Sequence, residues 1–233
     1  MNLPVIETPR YSCKLPVTEQ SVSYRPFLVG EQKNLLIAQE SDEQVNLTSE
    51  AIRLIQACVN DEIIVDALPM ADVEYLFLQV RIKSAGETTD IQMECSSCKE
   101  LNELTVDLTA HTINTPEAPE SILRLNDEIS IELKHPSIKD LASLENQGES
   151  QIVFGIINKA IDKVINGDEV LTRSDFSEQD LDKFIEGMSV HTLDSINSFM
   201  DNQPSISISS DFTCKHCSHF NINVMTGLES FFA

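Results

Sequence analysis

The sequence predicts an α+β fold, and three observations predict it. Near the N-terminus, apolar and polar residues alternate over two short stretches, the pattern of a β-hairpin. Several later stretches repeat apolar residues every three or four positions, the pattern of helices packed on one face. Two Cys-x-x-Cys pairs, Cys95 with Cys98 and Cys214 with Cys217, each sit between two alternating segments, which predicts two further hairpins.

The elements follow in order. Tyr11, Cys13, Leu15 and Val17 alternate with polar residues or proline. After the break at 18–20, Ser21-Val-Ser-Tyr-Arg25 continues the pattern and leads into a helix over 30–40 carrying Leu35, Leu36 and Ile37. Leu47, Ala51, Leu54, Ile55 and Cys58 place a second helix after Asn46, with Asn46 or Thr48 as its cap. Pro69 suits the first turn of a third helix. That helix is apolar on two faces, one through Val73, Leu76, Phe77 and Val80 and one through Tyr75, Leu78 and Ile82, which predicts burial on both sides. Strands are expected over 90–94 and 101–108, a linker over 111–121, and a strand pair over 122–125 and 129–133 turned by Asn126-Asp127. His135-Pro-Ser137 opens a helix to about 146. A helix over 152–165 stops at Asn166-Gly167. Ser177 to Asp180 is a capping box for the next helix, and 189–200 forms the last. Alternation then returns through Ile206, Ile208 and Phe212, and again through Phe220, Ile222 and Val224.

These expectations divide the chain into four parts. Residues 1–88 form an N-terminal hairpin and helical region. Residues 89–110 plus 204–225 form one β module carrying both cysteine pairs. Residues 111–203 are a mainly helical insertion into it, and 226–233 a short apolar tail.

Composition limits the function. The 233 residues hold 16 Lys and Arg against 38 Asp and Glu, a formal charge of −22. Binding to a nucleic-acid backbone requires the opposite sign, and an anionic membrane surface repels such a chain. No stretch approaches the apolar length of a membrane span, and residues 1–10 lack the basic region and apolar run of a signal peptide. A reducing cytoplasm is therefore expected, where paired cysteines point to metal before disulfide.

Two close thiol pairs at the tips of two hairpins are the donor set of a zinc-ribbon-like module. The x-x spacing lets both sulfurs of a pair face one ion, and four thiolates satisfy a tetrahedral Zn²⁺. Cys95, Cys98, Cys214 and Cys217 are thus the expected ligands of one structural zinc. Lys99 and Lys215 beside them would offset the excess negative charge. The departure from common ribbons is the 115 residues between Cys98 and Cys214. Two unrelated reduced pairs, or a disulfide-exchange motif, are the alternatives. The second lacks the strand-to-helix setting that activates such a thiol. Four thiolates leave no open coordination position, so a catalytic metal is disfavoured, and His216 and His219 read as exposed residues of the second turn. Cys13 and Cys58 fall on apolar faces and read as core. His111, His135 and His191 have no partner at useful spacing. The acidic runs at 40–43 and 166–169 lack a calcium-loop pattern, and no phosphate-cradling loop or nucleophile motif is present. The chain does not read as an enzyme.

Three segments carry a resemblance. Leu3-Pro-Val-Ile-Glu-Thr-Pro9, then Ser23-Tyr-Arg-Pro-Phe-Leu-Val29 running into Gly30-Glu-Gln-Lys33, and Val73-Glu-Tyr-Leu-Phe-Leu-Gln-Val-Arg-Ile-Lys83 resemble the baseplate hub proteins of T4-type contractile-tailed bacteriophages. The resemblance is clearest over 3–110 and extends to the second cysteine pair and the phenylalanine-rich tail. It implies a non-enzymatic structural or assembly protein of the central hub, with other hub and wedge proteins as partners, located in the virion tail or in tails assembling in the host cytoplasm. Leu228, Phe231 and Phe232 are then a docking element, or else pack on their own domain. The competing reading is a host-type zinc-ribbon adaptor. A nucleic-acid-binding ribbon would carry basic and aromatic residues, whereas these strands carry Asp90, Glu94, Glu100 and Asp107.

Overall fold

The computed structural model describes residues 7–40, 44–60, 62–116, 120–144, 148–228 and 230, with side chains described outside 38–48 and 149–150. Strands β1 (Tyr11–Lys14) and β2 (Ser21–Tyr24) precede helices α1 (Val29–Glu40), α2 (Gln44–Cys58) and α3 (Met70–Ala85). Strands β3 (Thr88–Glu94), β4 (Leu101–Asp107), β5 (Thr112–Asn114), β6 (Ile122–Arg124) and β7 (Ile129–Leu133) follow. Next come α4 (Ile138–Ala142), α5 (Glu149–Ala160), β8 (Ile161–Asn166), β9 (Glu169–Thr172), α6 (Glu178–Glu186) and α7 (Val190–Asp201). The last strands are β10 (Ser205–Ser209), β11 (Phe212–Thr213), β12 (Phe220–Asn221) and β13 (Val224–Thr226). The fold is α+β, as the alternation and the helical spacing predict. The described residues form two compact units. One draws on 1–65, 71–114 and 205–233, and the other on 66–70 and 115–204.

In the first unit, β1 and β2 form the expected hairpin, from Tyr11 opposite Tyr24 to Lys14 opposite Ser21. Its turn is pinned by Asp72 in the first turn of α3. This carboxylate has no solvent exposure and accepts from the Val17 N–H (2.7 Å), the Thr18 N–H (3.0 Å) and the Thr18 hydroxyl (2.7 Å). The hairpin continues into Arg25, whose guanidinium grips both Glu31 oxygens (2.7 and 3.0 Å) and the Ala57 carbonyl, so one side chain joins β2, α1 and α2. Glu31 is held below the usual carboxylate range by that hydrogen bond. Helix α3 is buried on two sides, through Val73, Leu76, Phe77, Leu78, Val80 and Ile82, as its doubly apolar sequence predicts. Helix α2 begins before the caps expected for it, and the side chains of Asn46 and Thr48 and the acidic run 40–43 lie outside the described ones.

The stretch 111–121 is more than a linker. It contains β5, which pairs antiparallel with β10, Ile113 opposite the fully buried Ile206, in a sheet ordered β13-β10-β5. Hairpins β3–β4 and β11–β12 complete this unit.

The second unit is a four-stranded antiparallel sheet, ordered β6-β7-β8-β9, with α4 to α7. Its core gathers Ile131, Leu133, Ile157, Ile161, Leu181 and Phe199 among others. The helix expected over 152–165 ends at Ala160, and the chain goes on as β8. The residues that switch are Ile161, Val164 and Ile165, β-branched and favoured on a pleated surface. Gly167-Asp168 is then the two-residue loop of a hairpin, with Asn166 opposite Glu169 and Gly167 at φ +59°. The capping boxes at Ser137–Asp140 and Ser177–Asp180 are both made.

Candidate metal centre

The two Cys-x-x-Cys turns fold alike. In the first, the Cys95 N–H donates to Glu100 O (3.0 Å) and the Lys99 N–H to Cys95 O (3.0 Å). In the second, the Cys214 N–H donates to His219 O (2.9 Å) and the Ser218 N–H to Cys214 O (3.0 Å). The residue after each second cysteine is left-handed, Lys99 at φ 65° and Ser218 at φ 61°. That twist closes each turn just after its second cysteine, where the N–H of the same residue bonds back to the first cysteine's carbonyl. Hairpin β3–β4 carries the first turn and β11–β12 the second.

The turns meet tip to tip. Cys95 Sγ lies 3.7 Å from Cys217 Sγ, and Cys98 Sγ lies 3.6 Å from Cys214 Sγ. All four sulfurs fall within 4.8 Å of one another. A tetrahedron with metal–sulfur bonds of about 2.3 Å has sulfur–sulfur edges of about 3.8 Å, so the spacing fits a shared ion. A disulfide needs about 2.05 Å, and all four cysteines are free. The 115 intervening residues therefore leave and rejoin one small module.

Two asparagines lock the turns together, each reaching across to the other. Asn102, four residues after Cys98, donates to Cys214 Sγ (3.5 Å) and to Glu100 O (3.0 Å), and accepts from the Lys215 N–H (2.9 Å). Asn221, four residues after Cys217, donates to Cys95 Sγ (3.6 Å) and to His219 O (3.1 Å), and accepts from the Ser96 N–H (2.9 Å). Both are buried, at 1% and 5% exposure. The arrangement repeats about an approximate two-fold axis. The sequence reading missed these residues, although their signal was present: both motifs read Cys-x-x-Cys-x-x-x-Asn.

The electrostatics suit thiolates. The Cys98 backbone leads the donors that lower Cys95 to about 6, with the Ser97 backbone and Asn221 adding to it against burial. Cys214 is also lowered: burial opposes this, but the backbone of Cys217 and His216 and the Asn102 amide outweigh it. At Cys98 the Glu100 backbone pulls down, while burial and the three neighbouring sulfurs push up to about 12. Four sulfurs this close share their protons, and a divalent cation is what lets all four ionise together.

The other singled-out residues lie elsewhere. Lys99 pairs with Glu94 (3.2 Å) and Lys215 Nζ donates to Glu103 O (3.5 Å), so both ammonium groups have carboxylate or carbonyl partners of their own. His216 and His219 are exposed. Cys13 is half-buried and pushed up to about 11 by burial and by Asp72. Cys58 is buried and pushed up to about 12 by burial and by Glu31, with Arg25 opposing. Both are neutral packing residues. His111 Nδ1 bonds Leu108 O (3.0 Å), His135 stacks on Phe199 (4.6 Å between rings), and His191 is exposed. Leu228 is buried at 4% exposure in the unit that carries it, and its N–H bonds the Glu74 carboxylate. This removes it from the proposed docking element; Phe231 and Phe232 lie outside the described residues.

Among known proteins, a family model described as T4 bacteriophage base plate protein matches residues 8–233, nearly the whole chain. No curated protein and no solved structure matches. The match does not favour the host-type adaptor. No helix among the described residues is long and apolar enough to cross a membrane.

Proposed function

This chain belongs to the T4 bacteriophage base plate protein family, and we propose that it serves there as a non-enzymatic structural or assembly protein of the central hub, with one structural zinc. Its place is the tail base plate of the virion, and its partners are other base plate proteins. The hub assignment is supported by the resemblance of 23–33 and 73–83, which span β2, the start of α1 and the buried face of α3.

The observation that carries the zinc is the four-sulfur cluster with its two asparagine locks. Cys95, Cys98, Cys214 and Cys217 would hold the ion. An all-thiolate tetrahedral set suits zinc, and its closed shell suits structure over catalysis. A hairpin with strands as short as β11 and β12 buries little apolar surface, so a metal that ties it to β3–β4 contributes the missing folding free energy. The acidic surface, −22 overall, keeps copies apart until a basic partner surface captures them.

Metal analysis of protein purified under reducing conditions should find one zinc per chain, lost in Cys95→Ser. Zinc-free wild-type protein of unchanged stability would refute the metal. Deleting the gene should stop base plate assembly at the hub, and fully assembled infectious tails from the deletion would refute the role.

A further inference from the structure

The segment that supplies Asn221, from β12 through the two residues that join it to β13, is inverted. Alternating strands normally turn apolar residues inward, and the text from Phe220 to Val224 alternates cleanly. Here the polar residues face in. Asn221 bonds Cys95 and Ser96, and Asn223 bonds the Ser210 hydroxyl (2.6 Å) while its N–H reaches Asp211 (2.8 Å). The apolar residues are left outside, Phe220 at 57%, Ile222 at 79% and Val224 at 54% exposure. The stripe begins in β12 and ends in β13, with Ile222 between them, and both strands have an open edge: among the described strands, β12 pairs only with β11, and β13 pairs only with β10.

The module is acidic, and Asp211 lies beside the stripe, where it accepts from the Asn223 N–H (2.8 Å). Asp90, Glu94, Glu100, Glu103, Asp107 and Asp211 are all exposed on the same cysteine module. Against them stand Lys99, tied to Glu94, and Lys215, tied to a Glu103 carbonyl. A second copy of this chain would bring like charge to the stripe. We propose that the Phe220–Ile222–Val224 stripe docks an extended segment of another base plate protein, apolar at alternate positions and bearing Lys or Arg. The apolar positions cover the stripe, the open edge of β13 offers backbone partners, and the cations answer Asp211 and the net negative charge of the module. The inference rests on the base plate assignment and not on the hub.

The test uses the full chain, fluorescently labelled, and an array of peptides tiling every other base plate protein of the same virion, wedge and hub alike. Wild type should bind a few peptides of the stated pattern, and binding should weaken as NaCl rises. Phe220→Ser/Ile222→Ser should bind at least about ten-fold more weakly. Val190→Ser, at an exposed position of α7 (74%), should bind as wild type. Ile222→Ser alone tests the stripe if the double variant fails to fold, with uptake of one metal ion as the folding control. The inference is overturned if no peptide binds, if stripe variants bind unchanged, if binding ignores salt, or if wild type dimerises and Ile222→Ser makes it monomeric. Binding only to wedge peptides would keep this inference and count against the hub reading.

Discussion

Asn102→Ala would weaken the proposed metal centre without touching any of the four cysteines. The side chain holds three bonds, to Glu100 O, Cys214 Sγ and the Lys215 N–H, at 1% exposure. At about 1 kcal/mol per bond, more for one to a thiolate, and with the Lys215 N–H left unsatisfied, the loss is about 3–4 kcal/mol. Losing a hydrogen bond to a metal-binding sulfur weakens metal binding about 10- to 100-fold. The assay is competition for zinc against a chromophoric chelator, paired with urea unfolding. Asn102→Asp separates the two effects. It keeps an acceptor for the Lys215 N–H but sets a carboxylate against the Cys214 thiolate, so it should lose more zinc affinity than alanine does. Asn221→Ala should match Asn102→Ala because the contacts are reciprocal, and the double variant should be non-additive because both act on one site. Asn102→Ala with wild-type zinc affinity and an unchanged urea midpoint would refute the lock.

Other outcomes follow from the same structure. Glu74 is pushed up to about 7 by burial, against an N–H from Leu228. Its charge costs nothing below its unfolded value near 4.5, begins to cost as pH rises past that, and costs in full above about 7. Glu74→Gln should therefore raise Tm at pH 8 by about 2–4 °C and leave it unchanged at pH 4.5, by calorimetry; the reverse order would sink the argument. Asp72→Ala strands two backbone N–H groups and the Thr18 hydroxyl and should cost about 3 kcal/mol in urea unfolding, against about 1 for Thr18→Val. Chelating the metal should strip hydrogen-exchange protection from β3–β4 and β11–β12 while β7–β8 keeps its own; uniform loss would contradict a local staple. Gly155→Ala should cost about 1–3 kcal/mol, since its Cβ would meet Leu144 Cδ2 at 2.5 Å, and thermal melting at wild-type temperature would show that Leu144 swings aside freely.

Much of the site was legible in the chain because it is local. A Cys-x-x-Cys turn needs only four residues to aim two sulfurs, and flanking alternation marks the hairpin that carries it. The meeting of the two cysteine pairs across more than a hundred residues was expected from valence, since two thiolates are half of a tetrahedral shell. The asparagines were harder to read. Asn221 looks like a solvent-facing strand residue until the first turn is in place to receive it, and Asn102, on the face of Leu104 and Val106, looks like a polar break in an apolar face. The same holds for Phe220, Ile222 and Val224, whose spacing announces a buried face that the structure turns outward.

The sequence by itself determined the hairpins, the capped helices, the two-sided burial of α3 and the two Cys-x-x-Cys turns. Each of these depends on residues within one or two turns of one another. Tertiary structure decided the rest. It ended α5 at Ala160, because Ile161 and Val164 gain more between β7 and β9 than in another helical turn. It drew β5 out of a linker to pair with β10, and it buried Leu228 against α3. It also set which side of β12 faces in, where the Asn221 amide bonds Cys95 on another hairpin. Those outcomes depend on partners distant in sequence, and neither periodicity nor local propensity encodes them.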